Sequence, residues 1–371
     1  MSTPLEYLHV IGTFQGVLLA LMLMLGKGVN NAGRILGLWC LFMAFYFCSP
    51  LIIIHADHSL ISSFVGWGYF IPASFGAFLY LYCRTAIINQ PFQSRDLMHS
   101  MPLLMCFALN WEFLLTSPQE KMAIVENGYR NQTIIWTTQF VMFLQAAVYL
   151  GLSIKLITRF KKQADNTLAG FNPNNFRLLL TLSFLYGFIW LVEGFGVVLN
   201  GHFVLSIVSD LMAFILIYSV SLAQWRDPNL FTIDNLTPIQ SFDNDTRTRK
   251  TEFFDEDTRQ KLLEDTVSFM EDQKPFLNSE LTLVALAESV DLSSHHLSEI
   301  LNQQAGKNFY QFVNEYRVNY ICDKINAEPN RKLLDLAMTA GFSSKSTFNA
   351  VFKQITGQTP SQYRNSLSAT S

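Results

Sequence analysis

The chain has 371 residues and a formal charge of −3; half of it is hydrophobic and 14% aromatic, yet only 15% of its residues are charged. Soluble proteins carry roughly 25% charged residues, which excludes a single water-soluble globular domain as a description of the whole chain. The charge is also segregated, because long apolar runs fill the first 225 residues and most charge comes after them, so two different solvents are implied.

The opening "MSTPLEYLHV" lacks the basic n-region and cleavage site of a signal peptide. The first apolar run is therefore expected to stay as a spanning helix. Seven apolar segments succeed one another, at roughly 7–25, 34–54, 60–82, 97–115, 134–156, 177–199 and 203–224. Each approaches the ~20 residues that cross ~30 Å of hydrocarbon. The fourth is the weakest, since it carries His99 and Glu112. Seven spans put the termini on opposite sides. Loops on the C-terminal side hold Lys27, Arg34, Arg84, Arg95, Lys155, Arg159, Lys161, Lys162, Arg177 and Arg226, whereas the other side holds only Lys121 and Arg130. Basic residues mark cytoplasmic loops, so the N-terminus is expected outside and the C-terminus in the cytoplasm.

Ionisable residues within a membrane are costly and default to functional candidates. Glu112, Glu193 and Asp210 map to the outer third of their segments, and His202 sits in the loop joining the last two. These four are candidate lining residues of an outward-facing ligand pocket. The competing reading is that the acids sit at the water interface, or pair with a neighbouring hydroxyl, to fix helix packing. His55, Asp57 and His58 read as an exposed polar turn rather than a metal site. The last span has no lysine for a retinal Schiff base, and the paired broken helices of a transporter are missing. HExxH, GxSxG and P-loop signatures are absent as well. An enzyme is not expected, nor a cofactor or resident metal. Five cysteines without paired spacing indicate neither a disulfide framework nor a zinc site.

Residues 226–257 are polar and aperiodic and read as a tether. From Thr258 to Asp272, Leu262, Leu263, Val267 and Met270 recur at helical spacing. That helix either docks on the C-terminal helices or serves dimerisation and signal transmission. Leu283, Leu286, Ala287 and Val290 then mark one face of a short helix, before a tight turn at Asp291-Leu292-Ser293. The next helix buries Leu297, Ile300 and Leu301, stops at Gly306, and leaves His295, His296, Ser298, Glu299 and Asn302 outward. A linking helix from about Tyr310 to Ala327 turns Phe312, Val313, Tyr316 and Tyr320 inward.

After Pro329 the pattern repeats. Leu333, Leu336 and Ala337 pack a helix, Gly341 permits the turn, and Phe342 plugs the core. Ser343 or Ser344 caps a helix that buries Phe348, Val351, Phe352 and Ile355 and ends at Gly357. Lys345, Ser346, Asn349, Ala350 and Lys353 face outward. Ser293, Leu297, Leu301 and Gly306 match Ser344, Phe348, Phe352 and Gly357 at a spacing of 51 residues. Two helix-turn-helix units on one linker helix would enter successive major grooves, about 34 Å apart.

The run from Ala337 to Arg364 has the pattern A-x-x-x-G-F-x-S-x-S-x-F-x-x-x-F-K-x-x-x-G-x-x-P-x-x-Y-R and resembles the signature of the AraC/XylS transcription-factor family. "LTLVALAESVDLSSHHLSEILNQQAGKNFYQFVNEYRVNY" resembles that family's first unit, including Arg317 on the linker helix. The seven-span half resembles the membrane-anchored branch of the family by architecture alone. The resemblance implies an all-α protein with a seven-helix membrane domain (1–225), a cytoplasmic linker (226–257) and a double helix-turn-helix domain (258–369). It implies a regulator in the bacterial inner membrane that binds promoter DNA sequence-specifically in response to a small-molecule or envelope signal. An alternative is a transporter-like or membrane-modifying domain whose occupancy the DNA reader reports.

By position, the resemblance assigns DNA contacts to Lys345, Ser346, Asn349 and Lys353 in the second unit, and to His295, His296, Ser298 and Glu299 in the first. Glu299 and Ala350 depart from it, each standing where an arginine often occurs. The expected partners are double-stranded promoter DNA, the lipid bilayer and the signal, with RNA polymerase added if the protein activates. From Pro275 onward, eight basic residues balance eight acidic ones. A neutral reader gains little from counterion release, so a homodimer, which raises local concentration, is also expected.

Overall fold

Long apolar runs with few charges can satisfy their backbone only as helices where water is absent, and helices dominate the first half of the chain. The computed structural model describes residues 4–54, 63–88, 90–127, 131–169, 173–199, 203–226 and 255–368. The chain splits into two compact units, one of Met1–Ile157 with Asn175–Thr232 and the other of Thr158–Asn174 with Ile233–Ser371. Among the described residues the regular structure is helical, with one isolated antiparallel bridge between Leu168 and Thr282.

The first unit contains α1 (Pro4–Leu25), α2 (Asn31–Ile54) and a 3₁₀ stretch (Trp67–Ser74) that continues into α3 (Phe75–Ile88). It then has a 3₁₀ turn (Ser94–Ser100), α4 (Met101–Leu109), α5 (Trp111–Leu115) and α6 (Pro118–Asn127). The helix α7 (Gln132–Thr167) enters the second unit at its end, and α8 (Pro173–Val198) and α9 (Phe203–Arg226) complete the set. Six helical stretches among the described residues are long and apolar enough to cross a membrane: Glu6–Leu25, Asn31–Ile53, Trp67–Ile88, Gln132–Thr167, Asn175–Val198 and Ile207–Trp225. The Trp67–Ile88 window is 78% buried against 22–44% for the others, so that helix is the centre of the bundle. The outward sides of the rest carry bare aromatic and aliphatic groups, among them Phe14, Phe140, Phe184 and Val198. Large contiguous apolar surface of this kind is unfavourable in water.

The expected fourth segment, 97–115, is not one helix. It is interrupted at Asn110, whose side-chain Nδ2 donates to the Cys106 carbonyl (2.9 Å) and to Thr138 Oγ1 (2.8 Å). An asparagine that bonds the local backbone and a neighbouring helix competes with helix propagation. Close packing elsewhere comes from small residues. A Cβ added at Gly16 would lie 2.8 Å from Ala44 Cβ, so α1 approaches α2 at that point only because the side chain is missing. Polar groups lock the helices across the bundle, with Tyr218 donating to the Gly12 carbonyl (2.6 Å) and Tyr82 to Gln224 (3.0 Å).

The second unit runs α10 (Glu256–Gln273), a 3₁₀ turn (Pro275–Leu277), α11 (Leu283–Ser289), α12 (Ser294–Gln303), α13 (Phe309–Ala327), α14 (Leu333–Thr339), α15 (Lys345–Thr356) and α16 (Pro360–Ser368). The expected helix at 258–272 is α10, and it docks. Met270 and Thr266 are fully buried, and Leu263, Val267 and Phe269 pack on the core of α11 to α13. Of the expected linker, Arg226 ends α9 and residues 227–254 lie outside the described part. Segment 158–174 is expected within the membrane domain, but it clusters with the second unit. Ala169 joins the core of that unit, where its carbonyl accepts from Asn314 (3.1 Å) and Arg317 (2.8 Å).

Arg317 is the tie point of this unit. Its side chain has no exposure at all, and burial pulls its pKa down to about 10. Nε donates to the Phe276 carbonyl (2.7 Å), Nη1 to Ala169 and Nη2 to the Asn278 carbonyl (2.8 Å). The guanidinium also lies 5.7 Å from the centre of the Phe342 ring. One side chain on α13 thus joins the turn after α10, segment 158–174 and the plug residue of the second helix-turn-helix.

Candidate functional site

Both helix-turn-helix units are built by the same local chemistry. Ser293 Oγ accepts from the His296 amide (3.2 Å) to cap α12, and Ser344 Oγ accepts from the Thr347 amide (3.1 Å) to cap α15. Each cap is worth about 1 kcal/mol. In each turn an amide reaches back to the helix before it, Leu292 to Ala287 (2.9 Å) and Phe342 to Ala337 (3.0 Å). Asp291 (φ 55°) and Gly341 (φ 89°) take the left-handed conformation that the turn requires.

These equivalences refine the repeat. The first helices and turns correspond at a spacing of 50 residues, while the second helices correspond at 51. The second unit has one additional residue, Ser343, between turn and cap. At Gly341 the constraint is double, since a Cβ there would also lie 2.5 Å from the Phe276 carbonyl oxygen.

The inward faces are Leu297, Ile300 and Leu301 on α12, and Phe348, Val351 and Phe352 on α15, all buried. Burying each such side chain contributes about 1.5–3 kcal/mol. Ile355, expected inside, is 40% exposed; Thr347 is buried in its place, bonded to the capping Ser344 (2.9 Å). On the linker helix, Phe312 and Val313 are buried, whereas Tyr316 and Tyr320 are half-buried against the Phe276 ring.

Of the residues expected to read DNA, Lys345, Ser346, Asn349 and Lys353 are all exposed along one side of α15. Spacings of four place Lys345, Asn349 and Lys353 on one stripe, the side away from the core. Residues 329–368 hold five basic side chains and one acidic, for a net +4, whereas 275–328 hold three basic and seven acidic, for a net −4. The neutral total therefore conceals one unit suited to a polyanion and one that is not.

The first reading helix is differently placed. His295 is exposed, while His296, Ser298 and Glu299 are half-buried. Glu299 pairs with Arg259 of α10 (3.5 Å), and Gln304 donates to Glu256 of the same helix (3.1 Å). His295, Ser298, Glu299 and Asn302 form one wall of a cleft of about 570 Å³, with Arg159, Lys162 and Asn166 opposite. The face expected to meet DNA thus looks onto a basic segment of its own unit. The cleft leaves no signal in the sequence, where Arg159, Lys161 and Lys162 register only as loop charge.

The four candidate ligand residues separate. Glu193 of α8 and Asp210 of α9 line one cavity in the first unit. Glu112 is exposed on α5 and does not line it, and His202, like His55, Asp57 and His58, lies outside the described residues.

Residues 286–366 match a family described as a helix-turn-helix domain. Over 88 residues the chain is 35% identical to an uncharacterized HTH-type transcriptional regulator of Staphylococcus aureus (strain COL), covering 24% of this chain and 12% of that protein. Over 84 residues it is 31% identical to the melibiose operon regulatory protein of Escherichia coli (strain K12), covering 23% of this chain and 28% of that one. The chain therefore spans well under a third of either relative. A solved structure of a Listeria innocua protein of unknown function is 24% identical, covers 28% of this chain and 94% of its own, and has a TM-score of 0.25. The C-terminal part of the chain is an AraC-type helix-turn-helix DNA-binding domain.

Proposed function

We propose that the protein is a membrane-embedded one-component transcriptional regulator, whose membrane-spanning half receives a signal and whose C-terminal half reads promoter DNA. One observation carries the reading: an AraC-type double helix-turn-helix shares a chain with six helices long and apolar enough to span a bilayer. Taking 97–115, broken at Asn110, as a further crossing makes the count seven, and the excess of basic residues on the C-terminal side then supports a cytoplasmic reader. DNA contact falls first to Lys345, Ser346, Asn349 and Lys353, supported by their exposure and the +4 charge around them. His295, His296, Ser298 and Glu299 come second, because His295, Ser298 and Glu299 face Arg159 and Lys162 across the cleft and Glu299 is already paired with Arg259.

The helix α7 is the natural carrier of the signal. It contributes Gln139, Met142 and Phe143 to the cavity in the first unit and Arg159 and Lys162 to the cleft in the second. A dimer in the membrane plane would add the affinity that a formally neutral domain lacks.

Mapping the promoters occupied in cells by the full chain, recovered from the membrane fraction, tests this function. Discrete sites that disappear in Lys345→Ala with Asn349→Ala are expected. Unchanged occupancy in that variant, or recovery of the chain only from the soluble fraction, would refute it.

A further inference from the structure

The cavity in the first unit holds about 150 Å³, the size of an engineered protein cavity that accepts benzene. Its two ends differ. At one end sit both carboxylates. Tyr46 donates to Asp210 Oδ1 (2.6 Å) and Ser209 to Glu193 Oε2 (2.5 Å), so each acid accepts a hydrogen bond, as an ionised carboxylate does. Among the described residues neither acid is in an ion pair, and no lysine, arginine or histidine lines the cavity. Two carboxylates facing a largely apolar space without a cation beside them are expensive, because no opposite charge matches theirs.

The remaining wall mixes aliphatic side chains with seven aromatic ones. Trp190 stands edge-on to Phe143 (5.3 Å between ring centres), and Tyr46 stands edge-on to Phe75 (6.0 Å). Aromatic faces beside anionic groups attract organic cations, through the ring quadrupole as well as by burial. At the other end Trp39 lies two turns before Tyr46 on α2, about 10 Å away along the helix. Trp39 is 4% exposed, and its indole N–H has no hydrogen-bond partner among the described residues. A buried donor without a partner leaves a free energy deficit that an acceptor on a ligand, or a water carried with it, would offset.

We infer that this cavity binds a small organic ammonium ion, with its charged head between Glu193 and Asp210 and a body about the size of one aromatic ring lying toward Trp39. The two acids supply the counter-charge, the rings supply the cage, and the volume limits the body. This rests on the reading of the membrane half as a sensor, and it makes the proposed signal a cation rather than a sugar, a carboxylate or a lipid tail.

The test uses the full chain in detergent micelles or lipid discs, titrated with phenethylammonium, choline, 2-phenylethanol and phenylacetate. Binding is followed by calorimetry and by the emission of the tryptophans, two of which line the cavity. At least one of the two cations is expected to bind at least tenfold more tightly than the neutral alcohol, with phenylacetate weakest. Glu193→Gln and Asp210→Asn, which each keep one acceptor oxygen but remove the charge, should each reduce that preference at least fivefold. The comparison within the unaltered chain needs no variant, so a folding defect cannot conceal the answer. Equal binding of cation and alcohol, tightest binding of phenylacetate, no binding by either cation, or a preference that survives both substitutions would each overturn the assignment. Promoter output read in parallel separates the two ideas. Cation binding without any change in output removes the sensing reading alone, while a response that needs the membrane half but no cation removes this one alone.

Discussion

Replacing Arg317 by leucine removes its three hydrogen bonds to backbone carbonyls at once, those of the buried Phe276 and Ala169 and that of Asn278. A hydrogen bond to a charged group contributes about 1.5–3 kcal/mol, so the gross loss is about 5–9 kcal/mol. Against this stands the cost of burying a guanidinium with no carboxylate partner among the described residues, which is several kcal/mol. Leucine also restores some apolar contact against Phe342. The net destabilisation should be about 3–5 kcal/mol, within the range for breaking a buried charged network. Lysine in its place keeps a charge but lacks the fork that reaches three acceptors, and should recover less than half of the loss.

Native-state amide exchange in the full chain measures this where it acts. Amides of α13 and of the Phe276–Asn278 turn that open only with the whole unit should exchange about a hundredfold faster or more, since each 1.4 kcal/mol is a factor of ten. Exchange within threefold of the unaltered chain would mean that the carbonyls find other donors and that Arg317 is not the tie point. Protection in the long apolar helices of the first unit should not change.

Three further outcomes concern single positions. Gly341→Ala should destabilise the second helix-turn-helix by about 2 kcal/mol or more, because a left-handed φ costs 1–2 kcal/mol and the new Cβ meets the Phe276 carbonyl at 2.5 Å. Gly357→Ala, with equally positive φ but open space around it, should cost about 1 kcal/mol; thermal melts that rank the two in the reverse order would contradict the packing argument. In DNA-binding titrations, Lys345→Ala should lower affinity similarly for all sequences and flatten the salt dependence by about one phosphate contact, whereas Asn349→Ala should cost about 1–3 kcal/mol at one base pair. A salt slope unchanged in Lys345→Ala would exclude a phosphate contact there. The Asp255 carboxyl is held below its ordinary value by the hydrogen bond it accepts from Thr258 at the start of α10. Its contribution is complete above the unfolded pKa and is lost as pH falls through the depressed one, so the Thr258 amide should lose protection only in that acidic window.

Much of the DNA-binding part was legible in the sequence because its signals are local. A serine before an apolar periodic run caps a helix whatever surrounds it, and Ser293 and Ser344 do so. Leu297, Leu301, Phe348 and Phe352 recur at helical spacing and are buried, and Gly341 and Gly357 have the positive φ expected of them. Ile355 misled because periodicity cannot see where a helix runs past the edge of its core. The fourth apolar segment misled because hydropathy averages over Asn110, whose effect depends on Thr138 lying within reach.

The sequence by itself determined that an apolar half suited to lipid precedes a DNA-binding domain of two similar units, because composition, caps and periodicity act over a few residues. Only the tertiary structure decided that segment 158–174 belongs to the second unit, that Arg159 and Lys162 stand across a cleft from the first reading helix, and that Glu193 and Asp210, but not Glu112, meet in one aromatic cavity. The reason is physical. These relations join residues far apart along the chain, and they arise from the fit of buried surfaces and the satisfaction of particular polar atoms, neither of which leaves a local trace.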